Sequence, residues 1–140
     1  MSVNLAMRAD ATNRTVAEFA ARGFDWDGAS CIHLARRQAE NMGHIVPQMP
    51  AFRSRQGALR GLLKTGHRTL ETLLDSLFPR IEPARMLVGD IAMLPGEDRR
   101  LRAVVIFDGH LSVAGWHEAH PEKLVWIKHM QGDLIAAWRL

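Results

Sequence analysis

The chain changes character at Pro83, and that change constrains its fold more than any single residue does. Before it, apolar residues recur at helical spacing: Val16, Phe19 and Ala20, then Cys31, Leu34, Ala35, Ala39 and Met42. Ala58, Leu59, Leu62 and Leu63 form a third set, and Leu70, Leu73, Leu74, Leu77 and Phe78 a fourth. Spacings of three and four place each set on one side of a helix. After Pro83 the apolar residues come in short runs, 86–94, 103–107, 111–116, 123–127 and 134–139, separated by turns such as Pro95-Gly96 and Asp108-Gly109. Runs of that kind read as strands. Helices first and strands after predict an α+β domain, with N-terminal helices packed on a C-terminal antiparallel sheet. The helical part is expected over about 13–82 and the sheet over about 86–140, in one domain spanning 1–140 without repeats or a linker.

Local signals place the element ends. Thr15 and Glu18 have capping-box spacing, which predicts a short first helix ending near Gly23. Ser30 is the expected N-cap of a second helix that runs through Met42 and is stopped by Gly43. Pro47 and Pro50 break the pattern into a loop, Ser54 caps a third helix ending at Gly66, and a fourth opens at Thr69 and stops before Pro79. The strands read as a meander, with a tight hairpin at Asp108-Gly109.

Composition narrows the function. A hydrophobic fraction of 47% and a charged fraction of 24% are those of a globular chain. The single cysteine excludes an internal disulfide and a cysteine-based zinc site. The first residues lack a basic segment followed by an apolar run, so they do not read as a signal peptide, and no stretch is long enough to span a bilayer. The net charge of +3 is scattered: Arg36-Arg37 and Arg99-Arg100 are pairs, and Arg53, Arg55 and Arg60 form a loose cluster. Without interleaved aromatics this reads as a solvated basic face rather than a nucleic-acid surface.

The chemistry concentrates at Cys31. It follows a Gly- and Asp-rich loop at the first turn of a predicted helix, where partial positive charge and unpaired N–H groups favour a thiolate. The same residue shares an apolar stripe with Leu34, Ala35 and Ala39, so a buried, inert thiol is the competing reading. A nucleophilic cysteine needs an imidazole within hydrogen-bond reach and a polar group to orient it. His33 lies two positions away and points to another side of the helix; His44 follows the helix-ending Gly43 and His67 sits between helices. His110, His117, His120 and His129 fall in the strand half. The run His117-Glu118-Ala119-His120 falls short of a metal site without further ligands. No phosphate loop, dinucleotide fingerprint or Ser/His/Asp signature is present, so no metal or cofactor is expected.

Three segments, with the closing one beside them, carry a resemblance. Phe24-Asp25-Trp26-Asp27-Gly28-Ala29-Ser30-Cys31 is an aromatic–x–Trp–x–Gly–x–Ser–Cys entry into a helix. Gly89-Asp90-Ile91-Ala92-Met93-Leu94 and Ala103-Val104-Val105-Ile106-Phe107-Asp108-Gly109 are strand openings, and Ala136-Ala137-Trp138-Arg139-Leu140 closes the chain. In these the sequence resembles the NlpC-type branch of papain-like cell-wall peptidases, in particular the small members encoded among phage tail genes. The resemblance implies a papain-like fold, with the nucleophile helix packed on an antiparallel sheet, and hydrolysis of peptidoglycan stem peptides.

Carried over residue by residue, Cys31 matches the nucleophile. The catalytic histidine should open the second core strand, where this chain has Ala103 between Arg102 and Val104, and the orienting residue should follow at Val113, Ala114 or Gly115. Losing an imidazole base forfeits about 10²–10⁴-fold in rate. His110 and His117 are the candidates to replace it, and either needs a shifted register to reach Cys31. The resemblance therefore implies a tail-tip or tail-hub structural protein with a degenerate cysteine-peptidase site. Its partners would be other tail proteins and host peptidoglycan, and its place the virion tail, with the host cytoplasm during assembly. Two alternatives stand beside it: an active cysteine endopeptidase opening the cell wall during genome delivery, and a basic nucleic-acid-binding module using Arg36, Arg37, Arg53 or Arg55.

Overall fold

Four helices precede a single antiparallel sheet. The computed structural model describes residues 4–117, 120–128 and 133–140, with the side chains of His117 and His120 outside the description. The helices are α1 (Leu5–Phe19), α2 (Cys31–Asn41), α3 (Arg55–Lys64) and α4 (Leu70–Leu77). The strands are β1 (Arg80–Ile81), β2 (Ile91–Met93), β3 (Val104–Phe107), β4 (Ser112–His117), β5 (His120–Lys128) and β6 (Ala136–Trp138). The molecule is thus α+β, with N-terminal helices and a C-terminal sheet.

The caps at Ser54 and Thr69 form as the sequence predicts: their side chains accept the backbone N–H groups of Gly57 and Thr72 at 3.0 and 3.1 Å. α2 ends in a Schellman motif: Gly43, at φ +95°, donates to Glu40 O and His44 donates to Ala39 O. The first helix departs from expectation. It starts ten residues before the Thr15–Glu18 box, with Asn4 accepting from Met7 N at 3.0 Å, and Thr15 is buried mid-helix bonding Ala11 O. A Ser/Thr–Glu spacing only marks a helix start where the preceding turn is absent, and here the preceding turn is helical.

The sheet is not a meander. Its order is β1-β6-β2-β3-β4-β5, so the last strand returns to lie between β1 and β2, pairing Ala92 with Ala137 and Ile81 with Ala137 on its two sides. β1 was hidden from the sequence because two residues, Arg80 and Ile81, show no alternation. Asp108-Gly109 does not form a two-residue turn: Asp108 Oδ1 accepts from the N–H groups of His110 and Ser112, which makes the connection four residues long.

Strand alternation divides the apolar residues between two faces. Val104, Ile106, Ala114, Trp116, Ile91, Met93 and Trp138 join Leu34, Ala39, Leu74 and Phe78 in one cluster shared by helices and sheet. Val105, Phe107, Val113 and Ala137 face the other way, under Met86 and Leu134. Trp138 is fully buried, while Trp116 is half-buried and Trp126, on the edge strand β5, is 46% exposed and so does not anchor the core.

Candidate functional site

The loop before α2 is built to set Cys31 at a helix N-terminus. Asp25 and Ala29 exchange both backbone hydrogen bonds, at 3.1 and 2.9 Å, and Asp25 Oδ1 accepts from Asp27 N. The chain turns at Gly28, φ +95°, a conformation that side chains disfavour. Phe24 packs edge-on against both Trp26 and Trp116, and its N–H bonds Pro121 O at 2.7 Å. Trp116 Nε1 donates to Arg22 O at 2.9 Å, so the loop is fastened to the end of α1 and to the β4–β5 end of the sheet.

Ser30 is fully buried and caps α2 in an uncommon way. Its hydroxyl accepts the N–H of His33, while the His33 ring takes the place usually held by Glu in a capping box. His33 Nδ1 accepts from Ser30 N at 3.2 Å and lies 2.8 Å from Ser30 Oγ. An Nδ1 that accepts carries no proton, so the ring is neutral with its proton on Nε2. Burial lowers the His33 pKa and Arg22 repels its charged form, which reinforces the neutral state. The ring lies 4.8 Å from that of Phe52. This histidine therefore belongs to the cap and has no lone pair free for proton abstraction.

Cys31 is half-buried as a residue, but its sulfur is surrounded by protein, and that burial pushes the thiol pKa up. The backbone N–H groups of Val104, Cys31 and Ile32 pull it the other way without overcoming burial. The Val104 contact fixes the neighbourhood: the start of β3 abuts the sulfur, and the preceding residue is Ala103, whose carbonyl accepts from Leu94 N at 2.9 Å. Ala103 and Val104, the residues at this contact, are both aliphatic. Val113 and Ala114, also aliphatic, are buried on β4.

His110 sits in the β3–β4 connection, past Phe107, and is exposed. Val104 and Phe107 are three residues apart, so His110 lies beyond the end of a strand about 10 Å long that starts at Cys31. The fold therefore does not bring His110 and Cys31 together. His117 ends β4, with its backbone paired to that of His120, and its side chain lies outside the described residues, as do Glu118 and Ala119 of the metal-like run. Among the described residues no three His, Cys, Asp or Glu side chains could hold a metal ion.

Asp90 has a role its sequence context did not announce. Its carboxylate is fully buried, and four groups converge on it. Arg8 pairs with Oδ1, which also takes Leu140 N at 3.0 Å; Oδ2 takes Leu87 N at 2.8 Å and Arg139 Nε at 2.9 Å. Beside it, Gly89 has φ +91°, and a Cβ there would lie 2.9 Å from Thr12 Oγ1 and 3.1 Å from Gln38 Nε2. Gln38, fully buried on α2, donates to both Thr12 Oγ1 and Gly89 O at 3.0 Å. The Gly-Asp pair thus locks α1, α2 and the chain after the last strand onto the start of β2.

The arginines named for a nucleic-acid surface are occupied. Arg36 pairs with Glu40 at 3.4 Å, Arg37 with Glu18 at 3.0 Å, Arg53 with Asp27 at 3.7 Å, and Arg55 with Asp98. Among the described residues no helix is long and apolar enough to cross a membrane.

No curated protein shows significant similarity to the chain. One family model matches residues 5–140, from the first residue of α1 through the residue that bonds Asp90. The chain therefore belongs to the DUF6950 family, described as a domain of unknown function.

Proposed function

We propose that this protein is a structural subunit of a phage tail tip or tail hub, built on a cysteine-peptidase-like fold whose catalytic centre has lost its base. The observation that carries the reading is the contact between Cys31 and the start of β3. A thiol at a helix N-terminus beside an antiparallel strand is the arrangement the NlpC-type resemblance implies, and the residue it implies as histidine is Ala103. With no imidazole there, with His33 engaged by Ser30, and with burial raising the thiol pKa, no described side chain generates the thiolate at neutral pH. A fold can outlast its chemistry, and the function then lies in its surfaces. The phage assignment rests on the resemblance of the loop, the Gly-Asp strand and the closing segment.

The N–H groups of Val104, Cys31 and Ile32 at the sulfur favour the alternative of an active endopeptidase, and one experiment separates the two. Iodoacetamide labelling of Cys31 is followed against pH in the folded protein, in a denatured control and in Ala103→His. The inactive reading expects a folded midpoint at or above that of the denatured control, whose thiol titrates near about 8.5. It also expects Ala103→His to lower that midpoint, because the new imidazole arrives beside the sulfur. A wild-type midpoint below about pH 7, with stem-peptide cleavage abolished by Cys31→Ser, would overturn it.

A further inference from the structure

One face of α2 lines a cavity of about 370 Å³, which the proposed function does not use. Ile32, Ala35 and Ala39 form one wall, and Leu70, Leu73, Leu74, Leu77 and Phe78 of α4 form the other. The segment 46–50 runs along the outer side, held by Arg36, whose guanidinium donates to Pro47 O at 2.8 Å and Val46 O at 3.3 Å. That volume lies within the range of small-molecule sites.

The cavity has two unlike ends. At one, Phe78 lines the cavity at the end of α4, with the His44 ring stacked edge-on against it at 5.1 Å. At the other, where α4 begins at Leu70, the α3–α4 turn supplies Lys64, Thr65 and His67. Every ionisable side chain lining the cavity is basic. Arg36 is committed to the 46–50 segment and Glu40, whereas Lys64 has no carboxylate partner among the described residues. From Leu70 to Phe78 the trough runs about 12 Å along α4.

We propose that this cavity binds an unbranched amphiphile, an acyl chain of about ten carbons whose anionic head group meets Lys64 and His67. The apolar walls exclude a polar occupant, and the 46–50 segment covering the outer side admits a slender chain rather than a helix. The absence of a lining carboxylate selects an anion over a cation. Cys31 is not among the lining residues and its sulfur contacts the start of β3, so the site does not use the thiol.

Calorimetric titration of the full chain with sodium hexanoate, octanoate and decanoate, and with 1-decanol, tests this. Saturable 1:1 binding is expected, tightening about fourfold per added methylene up to decanoate, with decanoate tighter than decanol. Lys64 is exposed at the end of α3, so Lys64→Glu leaves the fold intact; it should weaken decanoate about tenfold and leave decanol unchanged. Leu73→Gln should weaken both, and Cys31→Ala neither. Absence of saturable binding, affinity independent of chain length, or equal loss of decanoate and decanol in Lys64→Glu would overturn the proposal. Tight binding of an apolar peptide with no binding of decanoate would overturn it too, in favour of a protein partner.

Discussion

Asp90 offers the sharpest test of how this fold is held together. In Asp90→Ala the guanidinium of Arg8, whose side chain is 12% exposed, loses its carboxylate, and the N–H groups of Leu87 and Leu140 lose their acceptors. Removing one partner of a buried ion pair costs about 3–5 kcal/mol, because the other charge stays buried. With 140 residues and about 2.1 cal/mol/K of unfolding entropy per residue, that is a fall in Tm of roughly 10–17 °C. Asp90→Asn is the more discriminating variant. It keeps the shape, but its NH2 must face either Arg8 and Leu140 N or Leu87 N and Arg139, and two donors then oppose one another. A loss of about 2 kcal/mol or more is expected for it. Urea unfolding with linear extrapolation measures both, and an unchanged m-value confirms that the denatured state is the same. Losses under about 1 kcal/mol for both variants would refute the assignment of Asp90 as the clasp between α1, the start of β2 and the chain after the last strand.

Two further outcomes follow from the site. His33 has a depressed pKa because burial and Arg22 disfavour its charge and Nδ1 must accept from Ser30, so the folded state binds fewer protons than the unfolded chain. The stability it contributes is full above the unfolded value of 6.5 and is lost as pH falls from there toward the folded value. Between pH 7.5 and pH 5 the wild-type Tm should therefore fall further than that of His33→Gln, with His44, depressed by burial and Arg8, contributing equally to both; parallel Tm profiles would remove the cap from the account. Gly115→Ala places a Cβ 2.6 Å from Val105 Cγ1 inside the sheet, and should cost about 1–3 kcal/mol in urea unfolding; a neutral substitution would mean that β3 and β4 can separate locally.

The sequence by itself determined the class of the fold and the ends of three helices. Those rest on local physics: apolar spacing decides which face a helix buries, and Ser30, Ser54, Thr69 and Gly43 satisfy backbone groups within a few residues of themselves. The family resemblance singled out Ala103, and the fold puts the start of β3, the next residue along, against Cys31. Tertiary structure decided the rest. The return of Ala136–Trp138 between β1 and β2 is a pairing across more than forty residues, which no local pattern encodes. Asp90 reads as a polar residue after a glycine until Arg8 and Arg139 arrive from opposite ends of the chain to surround it. His33 sits two positions from a candidate nucleophile, and only the geometry of Ser30 shows that its lone pair is spent on a helix end. Long-range pairing and buried polar contacts depend on which segments meet, and a one-dimensional reading carries that information only where the partners are neighbours.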